Sequence, residues 1–149
     1  MLVAAEGVSM EHVEYVYTFG MDDEEVEQHL REAMTGVLSL AHDDDAYAVP
    51  VGCHYDGDRL LLRLAVESGG EKMSFVDETG QACFVVYEAT TDESWSVLVV
   101  GTLRETTEEF TAAQVNQWFA PLRVFSEAID DVEPVLYELE MDTVTGRTT

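Results

Sequence analysis

The stretch that decides the fold is AYAVPVGCHY at residues 46–55, followed by Asp56-Gly57-Asp58 and then RLLLRLA at residues 59–65. Its first half alternates strictly. Tyr47, Val49, Val51, Cys53 and Tyr55 fall on one face, and Ala46, Ala48, Pro50, Gly52 and His54 on the other. A period of two with unlike faces predicts a strand. Asp-Gly between two such runs predicts a tight reversal, because glycine takes a positive φ at no steric cost. The return run alternates too, with Leu60, Leu62 and Leu64 opposed to Arg59, Leu61 and Arg63. Two strands joined this way pair antiparallel.

The same signals continue on both sides. Val37 to Ala41 is a short apolar strand, and His42-Asp-Asp-Asp45 turns it into the long one. Ala82 to Glu88 is apolar without a break, which predicts a strand buried on both faces. Trp95 to Leu103 is a further strand, with Gly101 marking a bulge. Pro134 to Met141 alternates, with Val135, Tyr137, Leu139 and Met141 inward. Val13 to Phe19 alternates over a shorter length. Helices are few. Asp22 with Glu25 caps one that carries Val26, Leu30, Ala33 and Met34 and ends at Gly36. Ser68-Gly-Gly-Glu71 opens a short one over Glu71 to Glu78. Thr111 with Gln114 caps a third, stapled by Phe110 and Val115 and burying Val115, Trp118, Phe119 and Leu122. Six strands with short connections predict a mainly β fold, closed as an antiparallel barrel that leaves no exposed edge.

Composition bounds what the chain can do. Its 149 residues form one domain, expected to span 1–149, with residues 1–10 a disordered extension and Met10 an alternative start. There are 31 acidic residues against 7 Lys plus Arg, a formal net charge of -24. Nucleic-acid phosphates and anionic membranes need clustered cations, so neither is an expected partner. The acid is spread over Asp22 to Glu25, Asp43 to Asp45, Glu105 to Glu109 and Asp130 to Glu133, between apolar runs. A carboxylate-coated globule suits a salt-rich, haloarchaeal cytoplasm, where ions screen its self-repulsion. No run approaches a membrane span, and Met1 to Met10 makes a poor secretory signal. Cys53 and Cys83 fit neither a disulfide framework nor a metal site, and reduced cytoplasmic thiols are expected. No metal site is expected.

Two features carry possible chemistry. Lys72 is the only lysine in the chain. It lies in Ser68-Gly-Gly-Glu-Lys72, where helix-start amides and one ammonium suit a phosphate, and Arg63 on the preceding strand adds a bidentate partner. A solvent-facing lysine and an arginine paired with a carboxylate stay open as the other reading. The small residues Ala48, Pro50 and Gly52 would let a flat ring lie against a strand backbone, although close helix packing accounts for them equally. A ring plus a phosphate is what a flavin nucleotide offers.

The order Gly36-Val-Leu-Ser-Leu40, Ala46-Tyr-Ala-Val-Pro-Val51, Asp56-Gly57, Leu60-Leu-Leu-Arg-Leu-Ala65, Gly70-Glu-Lys72 and Trp95-Ser-Val-Leu-Val-Val-Gly101 resembles the flavin-binding split-barrel superfamily. It is most similar to pyridoxamine 5'-phosphate oxidase-like proteins, on the branch of the nitroimidazole-resistance reductases. The resemblance spans about residues 23 to 147 and implies a six-stranded antiparallel split barrel, a homodimer and FMN at its interface. It implies that Val49, Pro50 and Val51 back the isoalloxazine. Arg63, Leu64 and Ala65 would lie beside the flavin, Lys72 and Ser68 at its phosphate, with Ser96 and Trp118 as further contacts. Arg63 departs from the histidine of nitroimidazole-type relatives. The implied activity is that of an FMN-dependent oxidoreductase acting on a small molecule or electron acceptor. A deazaflavin-dependent reductase and a flavin-binding module without turnover are the alternatives. The flavin would do the redox chemistry, so no catalytic side chain is assigned.

Overall fold

The computed structural model describes residues 18–66, 76, 80–119 and 133–149. The strands are β1 (Phe19–Gly20), β2 (Thr35–His42), β3 (Asp45–Tyr55), β4 (Leu60–Val66), β5 (Ala82–Ala89), β6 (Ser94–Glu105) and β7 (Glu133–Thr148). The helices are α1 (Asp23–Glu32) and α2 (Ala112–Trp118). All pairings are antiparallel, in the order β1-β7-β4-β3-β2-β5-β6, and β6 pairs with β7 to close a six-stranded barrel. The mainly β split-barrel expectation therefore holds. Val13 to Tyr17, the helix expected over Glu71 to Glu78 and Leu122 lie outside the described residues, apart from Val76, which is helical and buried.

Alternation puts one row of side chains inside. Leu38, Leu40, Val49, Val51, Cys53, Leu60, Leu62, Leu64, Phe84, Val86, Val97, Val99, Tyr137 and Leu139 form the buried core. Both tight turns follow from their residues. Asp43 and Asp44 take φ of 46° and 65°, and Gly57 takes 97°. Asp56 Oδ1 accepts from the Asp58 and Arg59 amides at 2.8 and 2.7 Å. Those two donors, Arg59 first, hold the Asp56 carboxyl below its usual pKa.

Both expected caps are present on the described helices. Asp22 accepts from the Glu25 amide at 2.8 Å, and Thr111 with Gln114 forms a reciprocal capping box. Two expectations are corrected. Gly36 does not end α1, whose C-cap is Ala33. It lies within β2, where a Cβ would collide with the Phe84 ring and come within 2.7 Å of the Val85 carbonyl. The glycine makes room for a core aromatic. Nor is β5 buried on both faces. Ala82, Phe84 and Val86 point inward, whereas Cys83 and Val85 are half-buried and Tyr87 is exposed. The expected bulge at Gly101 is real: the β6–β7 register shifts between Val100 and Gly101, and a Cβ on Gly101 would collide with the Glu140 carbonyl.

Candidate functional site

The outer face of β3 carries Ala48, Pro50, Gly52 and His54, because their alternates fill the barrel. Ala48 and Pro50 are exposed. Gly52 pairs with Arg63 of β4. A Cβ on Gly52 would sit 3.4 Å from the Phe119 ring, 3.9 Å from Arg63 Cβ and 3.9 Å from the Met34 carbonyl. Gly52 is thus the floor between an arginine on one side and aromatic residues on the other.

The aromatic wall is built by α2. Phe119 is buried with Leu61 and Leu136, the outward residues of β4 and β7, and Phe110, Val115 and Trp118 pack around them. Trp118 stacks on His54, with centroids 5.1 Å apart and planes 6° apart. Phe110 meets the Trp118 ring edge-on at 5.5 Å. Between α2, the end of α1 and His54 lies a shallow cleft of about 300 Å³. Arg31, Met34, Gln117 and Trp118 are among its walls.

Charge pairing separates the arginines. Arg31 pairs with Glu27 at 3.4 Å, Arg59 with Glu108 at 2.6 Å and Arg104 with Glu140 at 2.6 Å. Among the described residues Arg63 and Arg147 have no carboxylate within ion-pair distance. In a chain with 31 acidic residues, an arginine on a strand face that lacks a carboxylate is open to an external anion.

The residues singled out from the sequence separate into groups. Pro50, Arg63 and Trp118 come to one surface around Gly52. Val49, Val51 and Leu64 point into the barrel, with exposures of 2%, 3% and 0%, so a ligand outside meets only their backbone. Ala65 lies in β4, paired with Pro134 of β7. Ser68 and Lys72 lie outside the described residues. Ser96 sits on β6, opposite Tyr87 and Arg147, three strands from β3 around the barrel in either direction. It belongs to a separate depression. Sequence reasoning missed His54 and Phe119 as walls of the site. The outward position of His54 was visible in the alternation of residues 46–55, but its partner lies on a helix remote in sequence.

Cys53 points away from this surface. Burial pushes its thiol pKa up to about 12, and its Sγ lies 3.5 Å from the Ala33 carbonyl oxygen. Among the described residues no group of three or more His, Cys, Asp or Glu could hold a metal ion. No helix among them is long and apolar enough to cross a membrane.

Comparison with known proteins gives this geometry a context. The family described as pyridoxamine 5'-phosphate oxidase matches residues 22–148. No curated protein matches the sequence. Among solved structures, a FAD-binding protein from Mesorhizobium loti superposes with a TM-score of 0.67 at 18% identity, covering 90% of this chain and 99% of that one. A FAD-binding protein from Mycobacterium smegmatis gives 0.63 at 18% identity, covering 87% and 96%. A candidate 5-nitroimidazole antibiotic resistance protein from Bacteroides thetaiotaomicron gives 0.60 at 15% identity, covering 92% and 95%. At such identities the likeness is one of fold.

Proposed function

The chain belongs to the pyridoxamine 5'-phosphate oxidase family, and from that premise we propose that it binds a flavin, FMN, and serves as an oxidoreductase for a small molecule. The observation that carries the reading is the Gly52–Arg63 pair. A flat outward face of Ala48, Pro50 and Gly52 lies beside a guanidinium with no carboxylate partner among the described residues. The residues present fit a ring with an anionic tail. Pro50 and the β3 backbone would face the ring, and Arg63 would pair with the phosphate. Ser68 and Lys72 follow β4 directly in sequence and would add to the same anion site. His54, Trp118 and Phe119 pack together at one end and would shield the ring there from water. When bound, a flavin supplies electron or hydride transfer, and the protein contributes binding and electrostatics. The FAD-binding proteins of similar fold support a flavin in general.

A homodimer belongs to the proposal. Val37 of β2 pairs with Pro50 and Val85, and Val85 pairs with Leu98 of β6. All four face outward. Leu98 is 41% exposed, and no segment of the described chain covers this row. The unbroken apolar run of β5 is explained if a second copy covers its outer side. The acidic surface fits a salt-rich cytoplasm.

The test is the absorption spectrum of protein purified in molar salt, followed by titration with FMN. Flavin bands and saturable binding are expected. A colourless protein that takes up no FMN overturns the reading, and selective uptake of a deazaflavin would replace the cofactor. Reduction of the bound flavin by a nicotinamide nucleotide distinguishes an enzyme from a storage module. Sedimentation should give twice the chain mass, and a flavin-loaded monomer would sink the dimer.

A further inference from the structure

Helix α1 lies across one end of the barrel. Leu30 is buried, and Met21, Val26 and Ala33 pack with it on the core. Two further ties hold α1 to the barrel wall. On one side Tyr55 of β3 donates its hydroxyl to Glu27 Oε1 at 3.5 Å, and the Arg31 guanidinium lies over the Tyr55 ring at 5.7 Å. On the other side the His29 imidazole stacks on the indole of Trp95 of β6, with centroids 3.9 Å apart and planes 24° apart. In the closed sheet β3 and β6 are three strands apart in either direction. The two ties therefore grip opposite walls, and α1 is a strap across the opening.

The two ties differ in what a proton does to them. Carboxylates, phenols and guanidinium groups keep their charge near neutrality, whereas imidazole changes its own between about pH 5 and 8. Among the described residues no side-chain hydrogen bond or ion pair occupies the His29 ring. A cation on the face of an indole is attracted by the ring quadrupole. A charge on His29 also meets carboxylates. Glu25 and Glu32 lie one turn away along α1, Glu88 pairs with Trp95 on β5, and Glu93 precedes β6. Of the nearby arginines, Arg31 is engaged with Glu27 and Tyr55, and Arg147 is exposed on β7 and bonded to Thr18. We propose that the His29–Trp95 stack is a proton-operated latch on this strap. Imidazolium holds α1 against β6, and neutral imidazole lets that side of the helix loosen. The contribution is present toward about pH 5, where imidazole is charged, and is lost toward about pH 8. The other stack of this kind, His54 on Trp118, is no part of the latch: it belongs to the candidate site and lies between Arg59 and Arg63 of β4. The latch is independent of the flavin reading, since its residues and its readout involve no ligand.

The test uses the full-length protein in molar salt, where long-range charge effects are screened and contact effects remain. The chain has two tryptophans, so Trp118→Phe leaves Trp95 as the sole indole emitter. Imidazolium in contact with indole quenches it. Trp95 emission should fall at least twofold between about pH 8 and 5 in a single-proton step, and His29→Gln should flatten that step. Amide hydrogen exchange over residues 23–32, corrected for the intrinsic pH dependence of exchange, reads the strap itself. Protection of α1 should rise at least threefold across the same step in the wild type. It should stay level in His29→Gln and in Trp95→Leu, which keeps an apolar side chain at the mouth but no ring. His54→Gln should retain the wild-type rise. Emission indifferent to pH, or a step that survives His29→Gln, overturns the proposal. So does a protection gain shared equally by the wild type and either latch variant, since the stack would then sense protons without fastening the helix.

Discussion

At the scale of single residues, charge without a partner carries most of the functional argument. Five of the seven basic residues fall within the described part of the chain, and Arg63 and Arg147 are the two of these that no carboxylate among the described residues holds. If Arg63 grips a flavin phosphate, Arg63→Met removes a charge-assisted contact of ~1.5–3 kcal/mol. FMN affinity should fall about tenfold to a hundredfold, while riboflavin, which has no phosphate, should bind as before. Lys72→Ala should behave alike, and equal losses for both ligands would remove either residue from the phosphate site. Cys53 presents the opposite situation, a titratable group kept neutral. With the thiol raised from 9.0 to about 12, its contribution to stability is complete below pH 9.0 and is lost as pH rises toward 12. The folded protein should resist alkylation at Cys53 near pH 8, and unfolding in urea should release it. Mass spectrometry of the labelled peptide reads this directly. Rapid labelling of Cys53 in the folded state would contradict the buried position.

At the scale of elements, alternation in residues 46–65 was enough to place two strands and their turn, and the sidedness of residues 46–64. Both described caps and the Gly101 bulge were legible for the same reason: each is a local rule of spacing or sterics. What was not legible depended on residues distant in sequence. Gly36 looks like a helix stop until Phe84, far along the chain, is placed against it. The apolar outer side of β5 looks buried because a sequence does not say whether the covering surface belongs to the same molecule. The flat face and Arg63 could be picked out as candidates, but that they adjoin follows from the β3–β4 register. Gly36→Ala should therefore destabilise the barrel by forcing the Phe84 ring to move, by about 1–3 kcal/mol. Thr111→Ala removes a cap and should cost about 1 kcal/mol. Urea midpoints compare the two, and a neutral Gly36→Ala would mean the ring has room. The turn at Asp56 adds a pH dependence. Its carboxyl pKa is lowered on folding, so its support is present above the unfolded value and fades as acid brings the pH through the folded one. Asp56→Ala should melt below wild type at neutral pH, and the gap should close in acid.

At the scale of the whole molecule, a charge of -24 on 149 residues makes the solvent a structural participant. The Debye length falls from about 30 Å at 0.01 M to about 3 Å at 1 M. Repulsion among carboxylates should therefore weaken sharply with salt, and the melting temperature should climb. A melting point indifferent to salt would show that local pairing already neutralises the surface. Barrel closure works against that repulsion, and β7 is the strand on which closure depends, since it joins β4 to β6 and also holds β1. The β1 contact has a practical meaning of its own. Phe19 faces Thr148, and Gly20 faces Arg147, so entry to and exit from the barrel lie side by side, one strand spacing apart. A unit with that arrangement can be spliced as a cassette. Residues 18–149 could be inserted into a surface loop of another protein through two short junctions. They could equally be rejoined head to tail and reopened at Gly57–Asp58, leaving every barrel pairing in place.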